Sequence, residues 1–122
     1  MPTRDGVTSR ETALLAARVV SEKKARDVVV LEVGEITYIA DYFLICTGTS
    51  DIQVQAIADH LKESFKKKGY ELMRKEGYRE ARWVLLDYGD LIVHVFQPEE
   101  RAFYNLERLW SNAPELEEAS TY

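Results

Sequence analysis

The chain has 122 residues, 46% of them hydrophobic, with a formal net charge of −5 and a single cysteine. That is the length of one domain with a single core; no apolar run nears the roughly 20 residues of a membrane helix, and no internal disulfide can form. An acidic chain lacks the overall positive footprint with which nucleic-acid binders displace counterions, and it suits a basic partner better.

The N-terminal MPTRDGVTSRE has no apolar stretch of the signal-peptide kind, which, with the lone thiol of Cys46, points to a reducing cytosol. The first helix is predicted in TSRETALLAARVVSEKKA. Thr8 and Glu11 have capping-box spacing, and Leu14, Ala17 and Val20 or Ser21 recur at helical intervals, leaving Arg18 and Glu22 to solvent. Asp27 breaks the pattern. The β-branched run Val28–Val33 then reads as a well-buried strand, and Asp41–Gly48 as a second. The next helix, from Ser50 to Gly69, has a candidate capping box at Ser50 and Gln53. Its apolar stripe is Val54, Ile57, Ala58, Leu61 and Phe65. Lys66–Lys68 complement its C-terminal dipole, and Gly69 caps it. YELM, from Tyr70, reads as a short edge strand and EGYREAR as a polar connection. After the segment Trp83–Phe96, Pro98 opens a last helix through Trp110, with Phe103, Leu106 and Trp110 as its core stripe and Arg101 and Tyr104 pointing elsewhere. The acidic tail 111–122 is expected to be disordered, leaving one domain over 8–110. The fold class is α/β or α+β, with helices packed on a mixed sheet of four or five strands.

WVLLDYGDLIVHVF, Trp83–Phe96, reads as two strands around a turn at Tyr88, Gly89 and Asp90. A sheet with one wet face alternates apolar and polar residues, and these strands barely do. Trp83, Leu85 and Asp87 share one face; Val84, Leu86 and Tyr88 share the other. Either helices cover both faces, or one face is an interaction surface with aromatic hot spots.

Catalytic chemistry finds little support. His60 and His94 have no cysteine nearby in sequence, and His94 reads as a hydrogen-bonded, half-buried residue and not a metal ligand. Cys46, between Ile45 and Thr47, reads as a small buried hydrophobe. At Gly48–Asp51 a strand meets a helix, where amides can hold phosphate, but Asp51 would repel an anion. Two-metal nucleotidyl transfer needs carboxylates converging within about 4 Å. Asp87 and Asp90 straddle a turn, and Glu32 and Glu35 flank Gly34, so neither is a convergent pair by spacing. Asp87 and Asp90 read as turn supports. No cofactor is expected.

ADYFLICTGTSDIQVQAIAD, EGY, WVLLDYGDLIVHVF and RAFYNLERLW together resemble the ribosomal silencing factor family, also called RsfS, YbeB or Iojap. The likeness runs in order over about residues 10–110, and its D-Y-G-D-x-x-V-H segment is specific. It implies a fold related to nucleotidyltransferases without their catalytic carboxylates. It also implies a cytoplasmic, non-enzymatic translation repressor. Such a protein binds large-subunit ribosomal protein fourteen at the joining face of the large subunit and blocks subunit association when nutrients are short. The contact positions carried over are Trp83, Asp87 and Tyr88, then Glu76, Gly77 and Tyr104. Trp83 and Tyr88 alternate to opposite faces of an ideal strand, so one partner touches both only across a bulge or around the turn. Acidic Glu76, Asp87 and Asp90 would pair with a basic ribosomal protein, while ribosomal RNA would repel most of the rest, leaving little direct nucleic-acid contact. The same apolar face would let the free protein pair as a homodimer. The alternatives are an assembly factor for the large subunit, as in related organelle proteins, or a divergent magnesium-dependent nucleotidyltransferase using Asp87 or Glu32.

Overall fold

The structure is a computed structural model that describes residues 6–121; the first five residues of the leader reading and Tyr122 of the tail lie outside the described residues. Two helices, α1 (Ser9–Glu22) and α2 (Asp51–Lys67), and five strands form the body: β1 (Arg26–Glu32), β2 (Tyr42–Thr47), β3 (Arg74–Glu76), β4 (Trp83–Asp87) and β5 (Leu91–Phe96). Two short helices, α3 (Pro98–Tyr104) and α4 (Leu106–Leu109), and a 3-10 turn at Glu117–Thr121 follow. The strands lie in the order β1-β2-β5-β4-β3, all neighbours antiparallel except β2 and β5, which run parallel. This is the mixed α+β sheet expected, at five strands.

Local chemistry sets each boundary. Thr8 Oγ1 accepts from the Glu11 amide at 3.1 Å while Glu11 Oε1 accepts from the Thr8 amide at 2.9 Å, completing the box that starts α1. At α2 the Ser50 hydroxyl accepts from the Gln53 amide at 3.1 Å, but the Gln53 side chain reaches Thr49 instead of closing the box. Its amide nitrogen donates to the carbonyls of Lys23 (3.3 Å) and Lys24 (3.1 Å), tying the start of α2 to the end of α1. Asp27, with φ of 50°, sits at an irregularity in the β1–β2 register between Arg26 and Val29, so β1 begins two residues before the apolar run. The edge strand is Arg74–Glu76 and not YELM: Leu72 packs against the core, and the Met73 amide donates to the Asp87 carbonyl at 2.8 Å just before pairing begins.

Both faces of the central strands are covered, which accounts for their missing alternation. β2 and β5 are buried at every position. On one face, Leu44, Cys46, Val84, Leu86, Val93 and Val95 meet Ala13, Ala17 and Val20 of α1 and the whole expected stripe of α2. On the reverse face, Phe43, Ile45, Ile92 and Phe96 lie under Leu106, Trp110 and Ala113.

The C-terminal region departs from expectation twice. The last helix is not continuous: Asn105 takes a left-handed conformation (φ 47°), which Asn tolerates better than most residues, and the chain bends there. Arg101 holds the bend through Glu107 at 2.7 Å and the Thr47 hydroxyl at 2.8 Å. The bend splits the expected stripe, sending Leu106 and Trp110 inward and leaving Phe103 80% exposed. Residues 111–121, expected to be disordered, instead form a strap along β1. The Glu32 amide donates to the Pro114 carbonyl at 2.8 Å, the Leu116 amide donates to the Val30 carbonyl at 2.9 Å, and Arg10 pairs with Glu118. Ala113, Leu116 and Ala119 are buried; their threefold spacing anchors a segment whose charges face water. A Leu116→Ala variant is expected to lose about 2 kcal/mol of stability in chemical denaturation, where a disordered tail would give no change.

Candidate functional site

The helical cover of the reverse face does not extend over β3 and the outer part of β4. Residues paired across strands share a face, so the pairs Arg74–Asp87 and Glu76–Leu85 place these four with Trp83 on one surface. Arg74 and Glu76 are exposed, while Trp83, Leu85 and Asp87 are half-buried.

Trp83 is the centre of this surface. Its ring stacks on Phe96 (centroids 4.9 Å apart) and packs against Tyr104 at 4.7 Å; Tyr104 meets Phe103 edge-on at 5.0 Å. The rings form a ladder from the core to the exposed end of α3, and Leu109, at the end of α4, is 72% exposed. The indole Nε1–H donates to His94 Nδ1 at 3.1 Å. Indole nitrogen can only donate, so Nδ1 is the acceptor and the neutral imidazole carries its proton on Nε2. Nε2 is buried without a hydrogen-bond partner among the described residues. Burial pushes His94 down to about 4, so the ring is neutral and holds the indole in one orientation.

Acidic groups rim the surface. Asp87 Oδ1 accepts from the Gly89 amide at 2.8 Å, the turn-supporting role expected, and Oδ2 lies 3.9 Å from Arg74, which also pairs with Glu76 at 3.2 Å. Asp90 points elsewhere. The Ser9 hydroxyl lies 3.4 Å from Asp90 and 3.1 Å from Asp41, and burial, with the Asp41 charge, raises the Asp90 carboxyl above its ordinary value. The carboxylates that approach each other are thus Asp41 and Asp90, not either pair weighed from sequence. No group of three or more His, Cys, Asp or Glu among the described residues is arranged to hold a metal ion. Cys46 is fully buried and its thiol is pushed up to about 12, so it is an inert core residue.

Of the positions singled out in the sequence, Trp83, Asp87, Glu76 and Tyr104 converge on this surface. Tyr88 does not: its ring packs against Phe65 at 4.9 Å on the α2 side, its hydroxyl is buried without a hydrogen-bond partner among the described residues, and burial raises it to about 12. Gly77 acts through the backbone. Its φ is 79°, and a Cβ there would lie 2.0 Å from the Trp83 carbonyl oxygen, so only glycine lets the chain cross the start of β4. Leu85, placed on the Trp83 face in the sequence, was not named as a contact, and Phe103 and Leu109 were missed. Leu85 has the same strand parity as Trp83, a signal that was present; the exposure of Phe103 depends on the break at Asn105, which helical periodicity does not reveal.

Residues 7–121 match the family model described as ribosomal silencing factor during starvation. The chain is 52% identical over 111 residues to a ribosomal silencing factor of Halalkalibacterium halodurans, covering 91% of this chain and 95% of that protein. It is 50% identical over 100 residues to that of Bacillus subtilis, covering 82% and 85%. A crystal structure of a Chromobacterium violaceum protein superposes with a TM-score of 0.84 at 31% identity, covering 86% of this chain and 88% of that one. The match includes the strap, which the motifs weighed from sequence had left out.

Gly77→Ala is expected to cost at least about 2 kcal/mol in denaturant titration, because the methyl group must displace β4. His94 gives a pH signature. Its folded-state value near 4 lies below the ordinary 6.5, so the unfolded chain binds the proton first as pH falls. Stability is therefore full above pH 6.5 and drops by about 3 kcal/mol toward pH 4. Denaturation midpoints across that range should show the slope, and His94→Gln should remove this contribution.

Proposed function

We propose that this chain, which belongs to the ribosomal silencing factor family, represses translation in the cytosol by docking on the large ribosomal subunit through the Trp83 surface. The partner is large-subunit ribosomal protein fourteen, and the bound domain sterically excludes the small subunit. The observation carrying this reading is the open β3–β4 face, where a tryptophan held by His94 and stacked on Tyr104 stands half-exposed inside an acidic rim. Trp and Tyr in a partly desolvated cluster are the residues on which binding energy concentrates. Glu76 and Asp87 give the rim a sign that suits a basic ribosomal protein and orients the encounter. Occlusion requires no bond making, so Asp41 and Asp90 have no assigned step in it. Much of the remaining surface is acidic and repelled by ribosomal RNA, which keeps the contact narrow. The face is also available for pairing two free copies.

Co-sedimentation with purified large subunits tests the reading. Trp83→Ala should lower affinity at least about tenfold with a near-wild-type circular dichroism spectrum. Phe103→Ala and Tyr104→Ala, which remove exposed rings, should each weaken binding while leaving the denaturation midpoint in place. Equal binding by all three variants and the wild type would exclude this surface.

A further inference from the structure

Exposed apolar side chains are unevenly placed on this molecule. Ile36, Tyr38 and Ile39 are exposed together on the loop between β1 and β2, Tyr38 completely. Single apolar residues scattered over a surface need no explanation; three within four positions do. The loop is not slack. The amides of Ile36 and Thr37 both donate to the Val33 carbonyl, at 2.9 and 3.0 Å, and the Ile39 amide donates to Thr37 Oγ1 at 3.2 Å. At the base of the loop the amides of Val33 and Gly34 donate to the Asp41 carbonyl, at 2.9 and 3.1 Å. A single clamped turn thus presents three apolar side chains to water, with little backbone freedom left to lose on contact.

Position and charge together name what covers them. Val33 and Ala40, at the two ends of the loop, belong to the reverse-face core with Phe43 and Ile92. Ile92 pairs with Phe43 of β2 on one side and with Asp87 of β4 on the other, and the Asp41 amide donates to the Asp90 carbonyl at 2.9 Å. The loop therefore stands at the Asp87 end of the Trp83 surface, two strand spacings or about 10 Å across the sheet. A protein interface of ordinary size, about 800 Å² on each partner and so roughly 30 Å across, spans both. Residues 32–41 contain Glu32, Glu35 and Asp41 and no basic residue. Arg10, which borders the same cleft, is paired with Glu118, and among the described residues Glu35 forms no ion pair within 4.0 Å. An apolar tip in an acidic collar is repelled by nucleic-acid phosphate, by anionic lipid and by the same collar on a second copy, and it suits a basic protein surface. We infer that the Ile36–Ile39 loop is a second anchor of the docking face, seated in an apolar hollow of a basic protein on the large subunit. This inference rests on the docking reading above and extends the contact from β4 to the far end of β2.

The test is the affinity of the full chain and of Ile36→Ser/Ile39→Ser for purified large subunits, measured by co-sedimentation. The double variant should bind about tenfold more weakly with its denaturation midpoint in place, because both side chains are exposed. Tyr38→Ser, which alters a wholly exposed ring, should weaken binding in the same direction and serves as the readout if the double variant loses stability. Ile52→Ser, equally apolar and exposed but at the opposite end of β2, should keep wild-type affinity. Unchanged binding by the loop variants while the wild type binds overturns the second anchor alone, as does an equal loss in Ile52→Ser. Failure of the wild type to bind overturns the docking reading and the anchor with it. A benzophenone amino acid in place of Tyr38 identifies the occupant. A ribonuclease-resistant adduct with a ribosomal protein is expected; an adduct destroyed by ribonuclease, or a cross-linked pair of this chain, overturns the assignment.

Discussion

The structure depends on covering β2 and β5, strands apolar on both sides. Burial of such a pair stabilises only if two separate layers exclude water, one on each face. The chain supplies the first layer generously, with α1 and α2 packed side by side. The second is thin: a four-residue helix, one tryptophan and Ala113 at the start of the strap. The economy of that second layer leaves part of the reverse face open, and the open part is where Trp83 stands.

A binding surface made this way is partly core. Trp83 is fixed from below by Phe96, from the side by Tyr104 and through its nitrogen by His94. Such an aromatic group has little conformational freedom left to lose when a partner arrives, so less of the contact energy is spent on ordering. The neutral state of His94 matters here, since a protonated Nδ1 would no longer accept from the indole. An Nε2 without a hydrogen-bond partner among the described residues is the cost of holding the ring with one nitrogen in an apolar wall.

Much of this was legible in the sequence because the signals are local. The stripe of α2, the box at Thr8 and Glu11 and the apolar strands all follow from side-chain period and capping chemistry. The site was legible through parity: Trp83, Leu85 and Asp87 alternate on one strand. What escaped depends on contacts distant in sequence. Helical periodicity in RAFYNLERLW does not announce that Asn105 turns left-handed, because the bend is held by an Arg101–Glu107 pair anchored on Thr47, far back in the chain. The strap was misread because its composition is acidic, while three small or apolar side chains at regular intervals decide where it lies. Tyr88 was carried over with Trp83 by family resemblance although strand parity already set it on the opposite face, where it packs against Phe65 of α2.

The strap also governs how copies of this protein can associate. A sheet with two free edges can add neighbours on both sides and grow into a filament. Here the outward backbone of Val30 and Glu32 on β1 is already bonded to Leu116 and Pro114. Among the described residues the strap thus covers the C-terminal part of the β1 edge, and the opposite edge, at β3, is three charged residues long, which disfavours growth by edge-to-edge addition.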